Sequence, residues 1–129
     1  MKRRFEGDKI TDNMGKEGCL FCRIANKEIP VKVVLEDPRF LAFEDVNPQA
    51  PVHILIIPKE HIEKVSDLDE RHADLAGGLV LAAKDIAREK GIQESGYRIV
   101  MNCNRDAGQA VFHLHLHLLG GRKFTWPPG

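Results

Sequence analysis

Three histidines alternate with leucines between positions 113 and 117, and this spacing constrains the fold more than any other feature of the chain. Side chains of a β-strand point alternately to its two faces, so the pattern predicts a strand with all three imidazoles on one face. The other face is apolar and carries Phe112, Leu114, Leu116 and Leu118. Imidazole can act as a nucleophile, an acid, a base or a metal ligand near neutral pH. We therefore expect the chemistry of the protein on this strand.

Length and charge exclude several classes of function. With 129 residues, the chain is long enough for one domain with a substantial core. Lys plus Arg and Asp plus Glu both number 19, a balance that argues against binding to nucleic acid or to anionic membranes. No apolar run is long enough to span a bilayer, and no apolar signal core follows the basic N-terminus. We predict a cytoplasmic protein.

Hydrophobic patterning divides the chain into a polar arm and one domain. Residues 1–17 lack sustained periodicity and are predicted to be a flexible N-terminal arm, followed by a domain at residues 18–129. Strands are expected at Val31–Leu35, Phe40–Phe43, Val52–Ile57, Tyr97–Asn102 and residues 111–119. Asp37 and Pro38 signal a hairpin between the first two strands. The pattern predicts an α+β fold with a five-stranded, mainly antiparallel sheet.

Two helices complete the predicted fold. A short helical turn is expected from Leu20 to Asn26, before Pro30. In the longer helix, Asp67 is the expected N-cap and Lys90-Gly91 the expected end. Apolar residues recur between them at helical spacing, at Leu75, Leu79, Ala82, Ala83 and Ile86.

Three hypotheses compete for the histidine row, which we define as His113, His115 and His117. The three could simply be polar residues on a solvated strand face. One metal ion bound by all three is disfavoured, because alternate residues of a strand lie ~6.7 Å apart and zinc–nitrogen bonds are only ~2.0–2.1 Å long. Different roles fit the spacing better, with His115 attacking a carbonyl or phosphoryl group while its neighbours orient it or move protons. The upstream loop at residues 104–110 offers Gly108 and backbone N–H groups to an anion, which favours phosphorus.

The remaining candidate residues allow several interpretations. Cys19 and Cys22 have the spacing of zinc ligands, but two cysteines fit a redox pair or a plain core equally well. Cys103 is expected to be a packing residue and His72 a surface histidine. Trp126 lies in a stiff terminal segment that we expect to dock against another surface.

Several motifs resemble one known family. The pattern His113-Leu-His115-Leu-His117-Leu-Leu resembles the signature of the histidine triad superfamily of nucleotide hydrolases and transferases. Further similarity to its purine nucleoside phosphoramidase branch covers roughly residues 18–129. It is carried by residues 40–45, 48–53, 57–62, 108–109, 120–122 and 126–129.

The resemblance implies a homodimer whose two sheets join, with the C-terminal tail and Trp126 reaching toward the partner's site. It also implies a pocket for a purine nucleoside monophosphate such as AMP. The residues around base and ribose would be Leu20, Phe21, Phe43, Asp45 and Val46. Those facing the phosphate would be Asn102, Gly108, Gln109, Ala110, His115 and His117. His53 would belong to the network that orients His115.

The resemblance further implies a two-step reaction without a catalytic metal. His115 would attack the α-phosphorus of an adenosine 5′-phosphoramidate, and water would then release AMP from the nucleotidyl-histidine. His117 would protonate the leaving amine and donate a hydrogen bond to the phosphate. Ala110 departs from the branch, which usually has a serine there, so a hydroxyl near the phosphate is missing.

The chain also resembles some bacterial members of the superfamily that hold structural zinc with two cysteines and two histidines. Carried over to this chain, the ligands would be Cys19, Cys22, His61 and His113.

Two rival functions stay open. One is hydrolysis of dinucleoside polyphosphates, or nucleotidyl transfer, on the same scaffold. The other is a non-catalytic module that binds nucleotide or zinc.

Overall fold

Five strands form one sheet in the computed structural model, which describes residues 18–129. The strands are β1 (Val33–Glu36), β2 (Phe40–Glu44), β3 (Val52–Pro58), β4 (Tyr97–Val100) and β5 (Leu116–Gly120). Their order is β1-β2-β3-β5-β4, and all four pairings are antiparallel. The predicted α+β fold is confirmed. The arm expected at residues 1–17 lies outside the described residues.

The central strands are buried on both faces. Phe40, Ala42, Ile54 and Ile56 belong to one hydrophobic cluster, on the face covered by the long helix. The alternate residues Leu41, Phe43, Leu55 and Ile57 belong to a second cluster, under the short helix. This double burial explains why β2 and β3 read as continuous apolar runs rather than as an alternating pattern.

One helix lies on each face of the sheet. Helix α1 (Leu20–Ala25) covers one face, and helix α2 (Ala73–Glu89) buries Leu79 and Ile86 against the other. α2 approaches the sheet closely at Gly78, where a Cβ atom would lie 2.8 Å from the Phe40 ring. Within residues 18–129, neither helix combines the length and apolar character that a membrane crossing requires.

The beginning of the long helix differs from the prediction. Asp67 ends a 3₁₀ turn (Val65–Asp67) and does not cap α2. A second 3₁₀ turn (Glu70–His72) leads directly into α2, and its N-cap is Asp69, whose carboxylate accepts from the N–H of Arg71. The predicted cap was wrong because the helical turns that run into α2 begin two residues later. There the Asp69 carboxylate offers the same kind of acceptor.

The predicted hairpin is confirmed. Asp37 Oδ1 accepts hydrogen bonds from the N–H groups of Arg39 (2.7 Å) and Phe40 (2.8 Å), which closes the turn between β1 and β2. The two edge strands differ from their predicted bounds. β1 begins two residues later and ends one residue later than predicted, and β4 ends two residues earlier.

The histidine strand pairs over only part of its predicted length. Ladder pairing with β3 ends at Leu116 opposite Ile56, although β3 itself continues to Pro58. Leu114 instead donates its N–H to the Ile62 carbonyl at 2.6 Å. The predicted alternation still holds for Leu114, Leu116 and Leu118, which pack on the α2 side. It fails for Phe112, which is 46% exposed.

Candidate active site and metal centre

The histidine row faces α1, and two separate groups of side chains meet it there. Because alternate residues of an extended chain point to opposite faces, the three imidazoles of the row lie opposite Leu114, Leu116 and Leu118, on the side away from α2. One group is buried and contains two cysteines, and the other opens into a cleft. The first comprises Cys19, Cys22, His61 and His113. The second comprises His53, His115, His117 and Asp45.

The cleft has a volume of about 440 Å³ and lies between α1, the ends of β2 and β5, and the loop before β5. Ten of the twelve residues predicted for nucleotide binding line it. They are Leu20, Phe21, Phe43, Asp45, Val46, Asn102, Gly108, Ala110, His115 and His117. Sequence reasoning missed several further lining residues, including Ile29, Pro30 and Val31. The apolar stretch around Pro30, directly after α1, was the signal that could have identified them.

Two predicted residues lie elsewhere. Trp126 is 83% exposed and does not line the cleft of its own protomer, so its contact with a partner's site stays a prediction. Gln109 is buried, and its side-chain amide donates to the carbonyls of Glu63 (2.8 Å) and Val111 (3.1 Å). Its oxygen accepts from the Asn104 N–H at 2.8 Å. Gln109 therefore holds the shape of the loop next to the cleft.

His115 presents an unprotonated nitrogen to the cleft. Its Nδ1 lies 2.7 Å from the His113 carbonyl oxygen, which can only accept, so Nδ1 carries the hydrogen. The lone pair of the neutral ring is therefore on Nε2. Phe21 packs edge-to-face against the imidazole, with ring centroids 5.1 Å apart. Burial lowers the pKa of His115, and the hydrogen bond to the His113 carbonyl opposes this only in part. The ring is thus a neutral nucleophile at pH 7.

A chain of hydrogen bonds fixes the protons of His53 and His117. The N–H of Gln49 donates to His53 Nδ1 at 3.0 Å, so the hydrogen of neutral His53 is on Nε2. His53 Nε2 lies 2.9 Å from His117 Nδ1 and donates to it. The hydrogen of neutral His117 is then on Nε2. The cleft therefore contains one imidazole nitrogen that can attack, on His115, and one imidazole N–H that can donate, on His117.

The cysteine-containing group has the donor set of a structural zinc site. His113 Nε2 donates to the Pro58 carbonyl at 2.8 Å, which leaves the Nδ1 lone pair free. That Nδ1 lies 3.3 Å from Cys19 Sγ and 3.2 Å from His61 Nδ1. Cys22 Sγ lies 3.3 Å from the same His61 nitrogen. All four potential ligand atoms lie within 4.8 Å of one another, so the residues fit a tetrahedral zinc ion.

Two further features agree with a metal. The pKa of Cys19 is held well below the usual thiol range, chiefly by the Cys22 side chain, and also by His113 and His61, against the opposing effect of burial. Thiolate is the form that binds zinc. His61 Nδ1, the atom that would bind the ion, points to the centre of the group, toward Cys22 Sγ and His113 Nδ1.

Asp45, His53 and His117 form a second set with close ligand atoms, but their protons argue against a metal. A metal on His53 Nε2 would require the hydrogen to move to Nδ1. Gln49 already directs its N–H at Nδ1, so the two hydrogens would collide. We interpret this set as a hydrogen-bond network, in which Asp45 Oδ2 lies 3.4 Å from His53 Nε2.

Comparison with known proteins identifies the family. The family model described as the HIT domain matches residues 26–124, and this range contains both groups of histidines. The chain belongs to the HIT family. The HIT fold is confirmed by a solved HIT family hydrolase from Legionella pneumophila, which is 53% identical, with a TM-score of 0.86. The match covers 87% of this chain and 100% of that chain.

Two HIT relatives carry more specific names. The 14 kDa zinc-binding protein of Zea mays is 49% identical over 112 residues, which are 85% of this chain and 87% of the relative. Adenylylsulfatase HINT1 of Arabidopsis thaliana is 48% identical over 112 residues, which are 85% of this chain and 76% of the relative. These names confirm the predicted branch of the superfamily and, with the Legionella structure, support a hydrolase.

We expect His117 of this HIT protein to remain neutral far below pH 6. Its pKa is lowered to about 4, chiefly by burial and also by the nearby His115 and His53, against the opposing effect of Asp45. Between about pH 6.5 and pH 4 the unfolded chain binds this proton more than the folded chain does, so acidification removes stability. A ¹⁵N NMR titration should give an acidic pKa for His117, and His53→Ala should raise it. A midpoint near 6.5 in the wild type would contradict the assignment.

Proposed function

We propose that the protein hydrolyses the P–N bond of purine nucleoside 5′-phosphoramidates through a nucleotidyl-histidine intermediate. The observation that carries the proposal is the pair of opposite imidazole functions in one cleft. The hydrogen bond to the His113 carbonyl directs the His115 lone pair to Nε2, and the chain from Gln49 directs the His117 hydrogen to Nε2. A phosphoryl group between them would meet a nucleophile and a hydrogen-bond donor.

The first step transfers the nucleotidyl group to the protein. His115 Nε2 donates its lone pair to the α-phosphorus, and the P–N bond breaks with its electron pair on nitrogen. The imidazole of the intermediate is cationic, and its Nδ1–H keeps the bond to the His113 carbonyl. In the second step, water attacks phosphorus, His115 leaves, and the nucleoside monophosphate is released.

The role of His117 follows from its single hydrogen. A neutral imidazole that surrendered its only N–H would become an imidazolate, and His53 cannot replace that proton because its Nδ1 faces the Gln49 N–H. We therefore assign His117 a hydrogen bond to the phosphoryl oxygens or the leaving nitrogen, which stabilises the charge that develops. The extra proton that the amine needs comes from solvent.

The lining of the cleft suits a nucleotide. Its inner wall is apolar, with Phe21, Phe43 and Leu55, and would accept a planar purine. Asp45 lines the same cleft and would accept hydrogen bonds from the ribose hydroxyls. Ala110 lines the cleft with Gly108 and would offer the phosphate a backbone N–H but no hydroxyl. We expect this difference to affect the choice of leaving group.

Zinc would serve structure. Cys19, Cys22, His61 and His113 would hold the ion as a closed set of four, so no ligand position would be left for substrate. The ion would tie α1 to the segment after β3 and to the strand of the nucleophile. The name of the Zea mays relative supports this assignment.

Adenylyl sulfate is a second candidate substrate, because a relative with 48% identity is named adenylylsulfatase. Attack on its α-phosphorus would give the same nucleotidyl-histidine, with sulfate in place of amine as the leaving group. The two candidates differ only in the group that departs.

We also propose that the HIT domain forms a homodimer. β4 is an edge strand of the sheet, and its Tyr97 and Ile99 are at least a third exposed. Pairing of two such edges would join two sheets, and the exposed Trp126 would be available to the partner.

Steady-state assays should compare adenosine 5′-phosphoramidate, adenylyl sulfate and diadenosine polyphosphates at matched concentrations. We expect the phosphoramidate to have the highest kcat/KM and the polyphosphates the lowest. A higher kcat/KM for adenylyl sulfate would assign the protein to the second candidate. A strong preference for polyphosphates would contradict both.

A further inference from the structure

The segment after β5 contacts the loop that orients His53, at a point outside the cleft. Arg122 Nε donates to the Gln49 carbonyl at 3.0 Å. The N–H of the same residue, Gln49, donates to His53 Nδ1. Gln49 is therefore joined through its carbonyl to the C-terminal segment and through its amide to the histidine network.

The turn after β5 also lies against this loop. Gly121 has φ +89°, and a Cβ atom there would lie 2.9 Å from Pro51 Cβ. The loop between β2 and β3 contains two prolines and little regular structure, so its own backbone bonds do not fully fix the peptide of Gln49. Contacts from the C-terminal segment supply part of that restraint.

The guanidinium of Arg122 is itself held in place. It lies 4.2 Å above the Phe124 ring, and its Nη1 donates to the Lys123 carbonyl at 3.1 Å. Arg98 lies 5.1 Å from the same ring and donates to the Thr125 carbonyl. The two arginines make matching contacts with the C-terminal segment, but the bond to Gln49 belongs to Arg122.

We infer that Arg122 is a positioning residue that fixes the proton of His53 through Gln49, and through His53 the proton of His117. If the Gln49 N–H moved away, His53 could carry its hydrogen on Nδ1 and accept at Nε2 from His117 Nδ1. His117 would then present a bare Nε2 to the cleft. Asp45 opposes this exchange from the other side of His53, so the change is partial. The consequence for turnover rests on the proposed function.

The test compares Arg122→Met with the matched control Arg98→Met. Methionine keeps an apolar stem against Phe124 and removes the donors in both variants. For Arg122→Met we expect ¹⁵N NMR signals of His53 to shift toward the form protonated on Nδ1. With adenosine 5′-phosphoramidate, kcat should fall about fivefold with KM within about twofold, since one restraining hydrogen bond is worth about 1 kcal/mol and about 1.4 kcal/mol corresponds to a factor of ten. Arg98→Met should match the wild type in both measurements.

The NMR and kinetic results are informative separately. The inference is overturned if Arg122→Met leaves the His53 signals unchanged, or if Arg98→Met shifts them equally, because the second result would reflect docking of the whole segment. If the wild type hydrolyses none of the substrates, the proposed function fails. The His53 signals of the two variants then decide the inference by themselves.

Discussion

His115→Ala should abolish turnover of adenosine 5′-phosphoramidate, with kcat/KM reduced roughly 10⁴-fold or more, as expected when a covalent nucleophile is removed. The physical reason is that His115 Nε2 is the one imidazole lone pair for which the hydrogen bonds leave a direction into the cleft. The neighbouring His117 presents a hydrogen there and cannot substitute. The measurement is steady-state release of AMP, together with mass spectrometry of protein quenched during turnover.

The wild type should gain the mass of one nucleotidyl group in the quenched sample, and His115→Ala should not. His72→Ala is the matched control, because His72 is the histidine that lies in neither group, and its Nδ1 accepts from the Asp69 N–H in the turn before α2. We expect its kcat/KM to stay within about twofold of the wild type. Substantial turnover by His115→Ala, or a mass gain that persists in it, would exclude the covalent step proposed here.

Cys22→Ala should remove zinc and lower the free energy of unfolding by at least about 3 kcal/mol, because loss of one ligand of a closed metal site removes much of the folding energy that the ion supplies. Cys22 is 1% exposed and lies in α1, so loss of this ligand would also destabilise the helix that lines the cleft. Zinc per chain by inductively coupled plasma mass spectrometry and urea unfolding are the measurements.

Cys103→Ala provides the comparison for the metal. Cys103 lies outside the four-residue group, with its thiol 3.3 Å from Ser66 Oγ. We expect full zinc content and a loss of less than about 1 kcal/mol. Equal zinc content and equal stability in the two variants would refute the metal site. Immediate loss of turnover on chelation, without loss of structure, would indicate a catalytic ion instead.

The division of the histidine strand into an imidazole face and an apolar face could be predicted from the sequence, because side chains of a strand alternate with a period of two. Alternation alone places the imidazoles together, opposite Leu114, Leu116 and Leu118, and the length of a strand argues against one shared ion. The cysteine partners of His113 were available only through family resemblance, since two cysteines close in sequence fit several structures.

The proton arrangement could not be predicted, because backbone groups determine it. The Gln49 N–H, the Pro58 carbonyl and the His113 carbonyl select the tautomers of three rings, and every residue type offers such groups. Gln109 was assigned to the phosphate by resemblance, but its side chain is occupied by the backbone of its own loop. Contacts of this kind depend on how distant segments pack.

Helix α1 is only six residues long, too short to be stable by itself. Cys19 and Cys22 belong to the proposed zinc site, while Phe21 between them lines the cleft against His115. A bound ion and a bound nucleotide would thus favour the same placement of one small element. Thermodynamic reciprocity then requires that each ligand raise the affinity for the other by the same factor, although neither touches the other.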